Sequence, residues 1–230
     1  MTRPMILLVN GNSREDLTAR MAALAREKLG DMAEVEPMTI AAAPRFVSNR
    51  LEAAKAASAI LDAVQDRLKR RDAPRPDAVM LACFGEPGLW ALRSSIPMPV
   101  TGMVEASVAA AMQLGRRIAI LTSGRNWPPQ IEDLLCLYGH SARVVRITAL
   151  PDEALSEDHA IWHPALSDAV AQDMALGGAE VLILGGGPLT GRAETLTPPP
   201  GITLIDAFNA TLWQSLALAQ MTKSTGTPQP

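Results

Sequence analysis

The sequence predicts an α/β fold of two pseudosymmetric lobes, each a parallel sheet flanked by helices. Three observations carry this prediction. Short apolar runs alternate with amphipathic helical patterns along the chain, the signature of parallel strands joined by crossover helices. The pattern occurs twice. In the first half, ILLVNGNS is followed by DAVMLACFG and PVTGMVEAS; in the second, RIAILTSG is followed by AEVLILGGG and GITLIDAFN. Finally, Cys83 precedes Glu105 by nearly the distance that separates Gly186 from Asp206, so the halves agree in spacing as well as in pattern.

The elements follow in order. Met5 to Val9 reads as a buried strand that passes through Asn10-Gly11-Asn12-Ser13 into a helix from Asp16 to Leu29. A second strand lies between Ala33 and Ile40, and a long amphipathic helix runs from Asn49 to Lys69, closed by the basic run Lys69-Arg70-Arg71. Ala78 to Ala82 is a short strand ending at Cys83. Pro87 is expected to open the next helix, since proline suits a first helical position. Pro99 to Val104 is a strand and Ala106 to Leu114 a helix. The pattern restarts with a strand from Arg117 to Leu121 ending at Thr122, and a helix from Pro129 to Tyr138 follows. Next come a strand from Arg143 to Ile147, a helix from Pro164 to Met174, and a strand from Glu180 to Leu184. Ile202 to Ile205 and a helix from Ala207 to Gln220 complete the fold. The expected division is 1–100 with 206–221 as the first lobe, 101–205 as the second, and 222–230 as a mobile polar tail. Open parallel sheets bind ligands beyond the carboxyl ends of their strands. The active site is therefore expected in the cleft between the lobes, near Asn10, Cys83, Thr122 and Gly186.

Composition narrows the function. The 230 residues are 48% hydrophobic and 20% charged, ordinary values for a globular protein. A net charge of -3 has the wrong sign for a phosphate-backbone binder, and an aromatic content of 3% argues against stacking on bases. No nucleic acid partner is expected, and no membrane association, since no apolar run approaches a membrane span. Two cysteines in unlike contexts do not make a disulfide framework, and a reducing cytoplasm is the expected compartment. A homo-oligomer is expected.

Cys83 is the sharpest chemical signal. It leaves a buried strand and enters the turn Phe84-Gly85-Glu86-Pro87-Gly88 ahead of a helix, where backbone N–H groups are expected to give the thiol thiolate character, with Glu86 opposing them. A buried structural cysteine is the competing reading. Cys136, among leucines inside a helix, reads as core packing. Asn10 to Ser13 form a strand-to-helix turn with amide, hydroxyl and glycine, a cradle for an anion or a simple helix cap; Thr122-Ser123-Gly124 occupies the matching place. Gly185-Gly186-Gly187-Pro188 lacks the spacing of a dinucleotide or phosphate loop and fits close approach of backbone to a small ligand. His159 and His163, one helical turn apart, lack a third ligand, and Pro164 suggests a helix boundary there, so no metal is expected. Glu105 and Asp206, at strand ends, read as helix caps more readily than as catalysts.

The segments ILLVNGNS, LACFGEPGLWALR, PVTGMVEAS and GRRIAILTSGRNW resemble the aspartate/glutamate/hydantoin racemase superfamily, closest to its hydantoin and allantoin racemase branch. The resemblance runs from Met5 to Gln220. It implies two similar lobes, no cofactor, and a cysteine in each lobe, one removing a proton from the substrate and the other returning it. The loop resembling residues 10–13 usually carries proline where this chain has Gly11. The second cysteine motif resembles Leu184-Gly185-Gly186-Gly187-Pro188, so Gly186 stands at the second cysteine's position. Arylmalonate decarboxylases of the same superfamily also keep one cysteine, but in the other lobe.

The resemblance therefore implies an enzyme acting on a carbon acid next to a carboxylate or carbonyl, of racemase or isomerase type, with Cys83 as general acid/base and proton transfer on one face. Asn10, Ser13, Phe84, Gly85, Thr122, Ser123, Gly186 and Gly187 are the expected substrate-binding residues. The partner is a small carboxylate- or carbonyl-containing substrate, with no cofactor. A decarboxylase or lyase using the single cysteine and a non-catalytic small-acid binding protein are the alternatives.

Overall fold

The computed structural model describes residues 3–225, and side-chain burial through Thr222. Eight strands and seven α-helices are defined in this range: β1 (Met5–Asn10), α1 (Glu15–Leu29), β2 (Glu34–Thr39), α2 (Arg50–Lys69), β3 (Ala78–Leu81), α3 (Leu89–Ser95), β4 (Val100–Gly102), α4 (Met103–Leu114), β5 (Ile118–Ser123), α5 (Trp127–Leu137), β6 (Val144–Leu150), α6 (His159–Ala175), β7 (Val181–Gly185), β8 (Thr203–Asp206) and α7 (Ala207–Thr225). They form two four-stranded sheets with the same order, β2-β1-β3-β4 and β6-β5-β7-β8. Every pairing is parallel. The chain divides into two compact units: one runs to Gly102 and resumes at Thr211, and the other is Met103–Ala210.

Burial explains why these runs become strands. Ile6 to Val9 and Ala78 to Leu81 are fully buried, as are Ile118 to Leu121 and Val181 to Ile183. Continuous apolar runs of this kind suit strands covered by helices on both faces. The helices supply that cover with one face each. In α1 the buried residues Leu17, Met21, Ala25 and Leu29 recur every turn, and in α2 Ala56, Ile60, Val64 and Arg67 do so. Arg67 is buried because Glu36 of β2 accepts from its Nε and Nη2 at 2.5 and 2.6 Å, and the Pro74 carbonyl accepts a further bond. Asn49 caps α2, accepting from the Glu52 N–H at 3.0 Å. In the second unit one face of α6, Trp162, Leu166 and Val170, packs with Ala119 and Leu121 of β5 and Leu182 and Leu184 of β7.

Several boundaries differ from the sequence expectation. Pro87 does not open α3; the helix begins at Leu89 behind Gly88, whose positive φ of 79° and close approach to the Ala57 carbonyl require glycine. Pro164 does not start α6 but lies inside it, because Asp158 caps the helix earlier by accepting from the Ala160 N–H at 2.9 Å. Glu105 is in the first turn of α4 rather than at a strand end. Part of the tail expected to be mobile, Thr222–Thr225, is the end of α7; residues 226–230 lie outside the described residues. Among the described residues no helix is long and apolar enough to cross a membrane.

Candidate active site

In the first unit the candidate residues stand at the carboxyl ends of β1 and β3. Asn10, the last residue of β1, is fully buried. Its Nδ2 lies within hydrogen-bonding distance of Asn12 Oδ1, the Arg14 carbonyl and Thr18 Oγ1, at 3.0, 3.1 and 3.0 Å. The carbonyl can only accept, so it fixes the amide's orientation and leaves Oδ1 without a protein partner. The cradle expected at residues 10–13 thus spends its amide donor on its own turn and leaves Oδ1 as a buried, unpartnered acceptor. Ser13 is half-buried and bonds through its backbone to the Pro44 carbonyl at 3.3 Å.

Cys83 follows β3 after Ala82, whose N–H donates to the Val9 carbonyl at 2.8 Å and carries the strand pairing one step past the regular ladder. The next register step sets Gly11 beside Cys83. An ideal Cβ on residue 11 would lie 2.8 Å from Cys83 Cβ and 3.1 Å from Sγ. The Cys83 carbonyl accepts from the Glu86 N–H at 2.9 Å, closing a turn in which Glu86 takes a positive φ of 50°. Phe84 within that turn is buried, and Gly85 is half-buried.

The thiol departs from expectation. Cys83 keeps some surface exposure, yet its sulfur is enclosed closely enough that burial pushes the thiol up to about 11. The Gly85 N–H pulls the other way and the Glu86 carboxylate adds to the rise. The helix α3 begins only at Leu89, and the N–H that favours the Cys83 thiolate is that of Gly85, in the turn ahead of the helix. Cys136 is also misread by its sequence context. It is exposed, because the buried stripe of α5 runs Trp127, Ile131, Leu135 and the next residue turns outward.

The second unit repeats the arrangement at the ends of β5 and β7. Thr122 is buried, and its Oγ1 has no partner. Ser123 is half-buried. Buried polar atoms without protein partners, here Asn10 Oδ1 and Thr122 Oγ1, are the kind that a polar ligand or ordered water satisfies. Gly186 has φ 142°, and an ideal Cβ there would lie 2.5 Å from Ser123 Oγ. The positive φ favours glycine at this position, whereas the serine hydroxyl could rotate away from a side chain there. Gly187 opens a short turn in which the Gly186 carbonyl accepts from the Leu189 N–H at 2.9 Å.

Asp206 ends β8 as a cap. Its Oδ1 accepts from the N–H groups of Phe208 and Asn209 at 2.9 and 3.2 Å, and Oδ2 from Gly191 at 2.8 Å. Burial pushes its carboxyl up to about 6 against these bonds. His163 Nε2 lies 3.1 Å from the Thr195 carbonyl, and its ring stacks on His159 with centroids 5.1 Å apart. Among the described residues no group of three His, Cys, Asp or Glu side chains is placed to hold a metal ion. The residue that sequence reasoning underrated is Gly11, noted only as a departure from proline. Its place beside Cys83 follows from the parallel β1–β3 register, a pairing between strands distant in sequence.

A family model described as Asp/Glu/Hydantoin racemase matches residues 6–215. The chain is 30% identical over 215 residues to a hydantoin racemase of Rhizobium meliloti, covering 93% of this chain and 88% of that protein. It is 27% identical to a hydantoin racemase of Paenarthrobacter aurescens, covering 89% and 86%. Among solved structures, allantoin racemase from Pseudomonas fluorescens superposes with a TM-score of 0.84 at 27% identity, covering 98% of this chain and 93% of that one.

Proposed function

The chain belongs to the Asp/Glu/Hydantoin racemase family, and from that premise we propose a cofactor-independent isomerase that moves a proton on a carbon next to a carbonyl or carboxylate. The relatives favour a hydantoin or similar cyclic ureide as substrate over a free amino acid. In this reading Cys83 is the general acid/base. Asn10, Ser13, Phe84 and Gly85 of the first unit, with Thr122, Ser123, Gly186 and Gly187 of the second, bind the substrate. Two of these supports have a specific physical basis. Asn10 Oδ1 is a free acceptor suited to a ring N–H, and backbone N–H groups at the strand ends suit an enolate oxygen.

The observation that carries the reading is the setting of Cys83. A thiol at a strand end, contacted by the Gly85 N–H and given its room by Gly11, is positioned for proton transfer. The test is incubation of each enantiomer of a 5-substituted hydantoin in deuterated water, with and without Cys83→Ala. Exchange by the parent protein should disappear in the variant and should survive exhaustive dialysis against a chelator.

The raised thiol favours a second reading. At pH 7 a group titrating near 11 is ionised in only about one molecule in ten thousand. Such a thiol is ready to donate a proton and poorly prepared to remove one. That suits a single-cysteine decarboxylase, in which loss of carbon dioxide leaves a carbanion that Cys83 protonates from one face. Release of carbon dioxide from a disubstituted malonate, without exchange on hydantoins, would select this alternative.

A further inference from the structure

The amino ends of β5, β6 and β7 form the end of the second sheet away from Thr122 and Ser123, and they concentrate positive charge. Arg116 and Arg117 lead into β5, Arg143 directly precedes β6, and Glu180 directly precedes β7. These strands are neighbours, in the order β6-β5-β7, so their leading residues come together. With Ala142 and Val145 they line a cleft of about 500 Å³. Three arginines thus share one cleft with a single carboxylate, in a chain whose net charge is -3.

The carboxylate is committed to the backbone. Glu180 Oε2 accepts from the Arg116 N–H at 2.5 Å, and the Glu180 N–H donates to the Arg117 carbonyl at 2.8 Å. Arg143 Nη1 reaches the Arg116 carbonyl at 3.5 Å. The Arg117 guanidinium lies against Gly178, where an ideal Cβ would be 2.9 Å from Nη2. Other arginines have carboxylate partners: Arg67 has Glu36, Arg70 has Asp72 and Arg146 has Asp173. Among the described residues, Arg116, Arg117 and Arg143 form no ion pair. Three like charges in one cleft repel one another, and an anion of several charges replaces that repulsion with charge-assisted hydrogen bonds. The planar guanidinium matches phosphate and carboxylate oxygens in particular.

We propose that this cleft is an anion-binding site, separate from the candidate active site, for a small molecule carrying two or more phosphate or carboxylate groups. β5 has six residues and so spans roughly 15–20 Å, which sets the cleft well away from Thr122 and Ser123 at the other end of the same sheet. The inference goes beyond the isomerase reading and uses none of its residues.

The experiment is calorimetric titration of the full chain at low salt with pyrophosphate and with citrate, and with acetate as the single-charge control. The parent protein should bind one of the two multivalent anions saturably at one site, and the tighter of them tells phosphate from carboxylate. Arg117→Gln and Arg143→Gln should each weaken that binding by roughly tenfold or more. Glu180→Gln keeps an oxygen to accept the Arg116 N–H while removing a negative charge, and should tighten it severalfold. Arg70→Gln makes the same change of charge outside the cleft, on an exposed arginine paired with Asp72, and should leave binding as it was. In thermal melts the anion should raise the Tm of the parent more than that of Arg117→Gln, and melts without anion check that each variant folds. Absence of saturable binding by both multivalent anions, acetate binding as tightly as they do, undiminished binding in the Arg117 and Arg143 variants, or an equal loss in Arg70→Gln would overturn the proposal.

Discussion

Gly11 and Cys83 share one space: a Cβ on residue 11 would lie 2.8 Å from the Cβ of Cys83, an atom fixed to the backbone and unable to swing aside. Gly11→Ala should therefore push the two strand ends apart. Overpacking of this kind costs about 1–3 kcal/mol. The predicted outcome is a lower Tm together with a fall in kcat, since the displaced atom belongs to the proposed acid/base. Unchanged kcat at full stability would show that the position of Cys83 does not matter to turnover.

The two cysteines should separate cleanly. Cys136 is exposed on α5, so Cys136→Ala should change stability by no more than about 0.5 kcal/mol and leave activity intact. Iodoacetamide at neutral pH should label Cys136 first, read by peptide mass spectrometry. Labelling of Cys83 ahead of Cys136 would contradict the enclosed position of its sulfur.

The enclosed thiol has a signature in pH. Alkylation of Cys83 in a Cys136→Ser background should rise with a midpoint near 11, not near 9. Between these values the unfolded chain has released the proton while the folded chain still holds it. The unfolded state then binds fewer protons, so stability should fall as pH rises from 9 to 11. A midpoint at or below 9 would mean that the Gly85 N–H outweighs burial.

Asp206 makes a prediction at the acidic end. Its carboxyl is raised from 3.8 to about 6 by burial. The folded state therefore keeps this proton over a range in which the unfolded state has lost it. Its contribution to stability is fully present below pH 4 and is lost as pH rises through 6, by about 2–3 kcal/mol. Asp206→Ala removes the acceptor for three N–H groups and should destabilise the second unit by about 1–3 kcal/mol. Denaturant melts of both proteins from pH 4 to pH 8 check the pair of effects. A parent protein whose stability rises over this range while the variant's does not would reverse the assignment.

The sheets were legible because buried parallel strands are written as unbroken apolar runs, and ILLVN, AVML, IAIL and VLIL stand out against their flanks. Their shared order follows from the repeat, and the equivalence of Cys83 and Gly186 follows with it. What the sequence concealed is set by distance and angle. Cys136 sits among leucines, but one residue beyond Leu135 is a hundred-degree rotation away from the buried stripe. Pro164 looked like a boundary because its ring usually excludes it from a helix interior, whereas Asp158, six residues earlier, had already started the helix. The thiol was expected to be acidic from its neighbours in sequence, and burial in the fold governs it instead. The crowding of Gly186 by Ser123 is likewise a contact between separate strands.

The most direct test of the account is deuterium incorporation at the stereogenic carbon of a 5-substituted hydantoin, followed for each enantiomer by mass and chirality in the parent protein and in Cys83→Ala. The account predicts that the parent exchanges one enantiomer much faster than the other, and that Cys83→Ala loses this exchange by about 10²–10⁴-fold while melting at nearly the parent temperature. Equal exchange from both enantiomers in the parent, or undiminished exchange in Cys83→Ala, would contradict it.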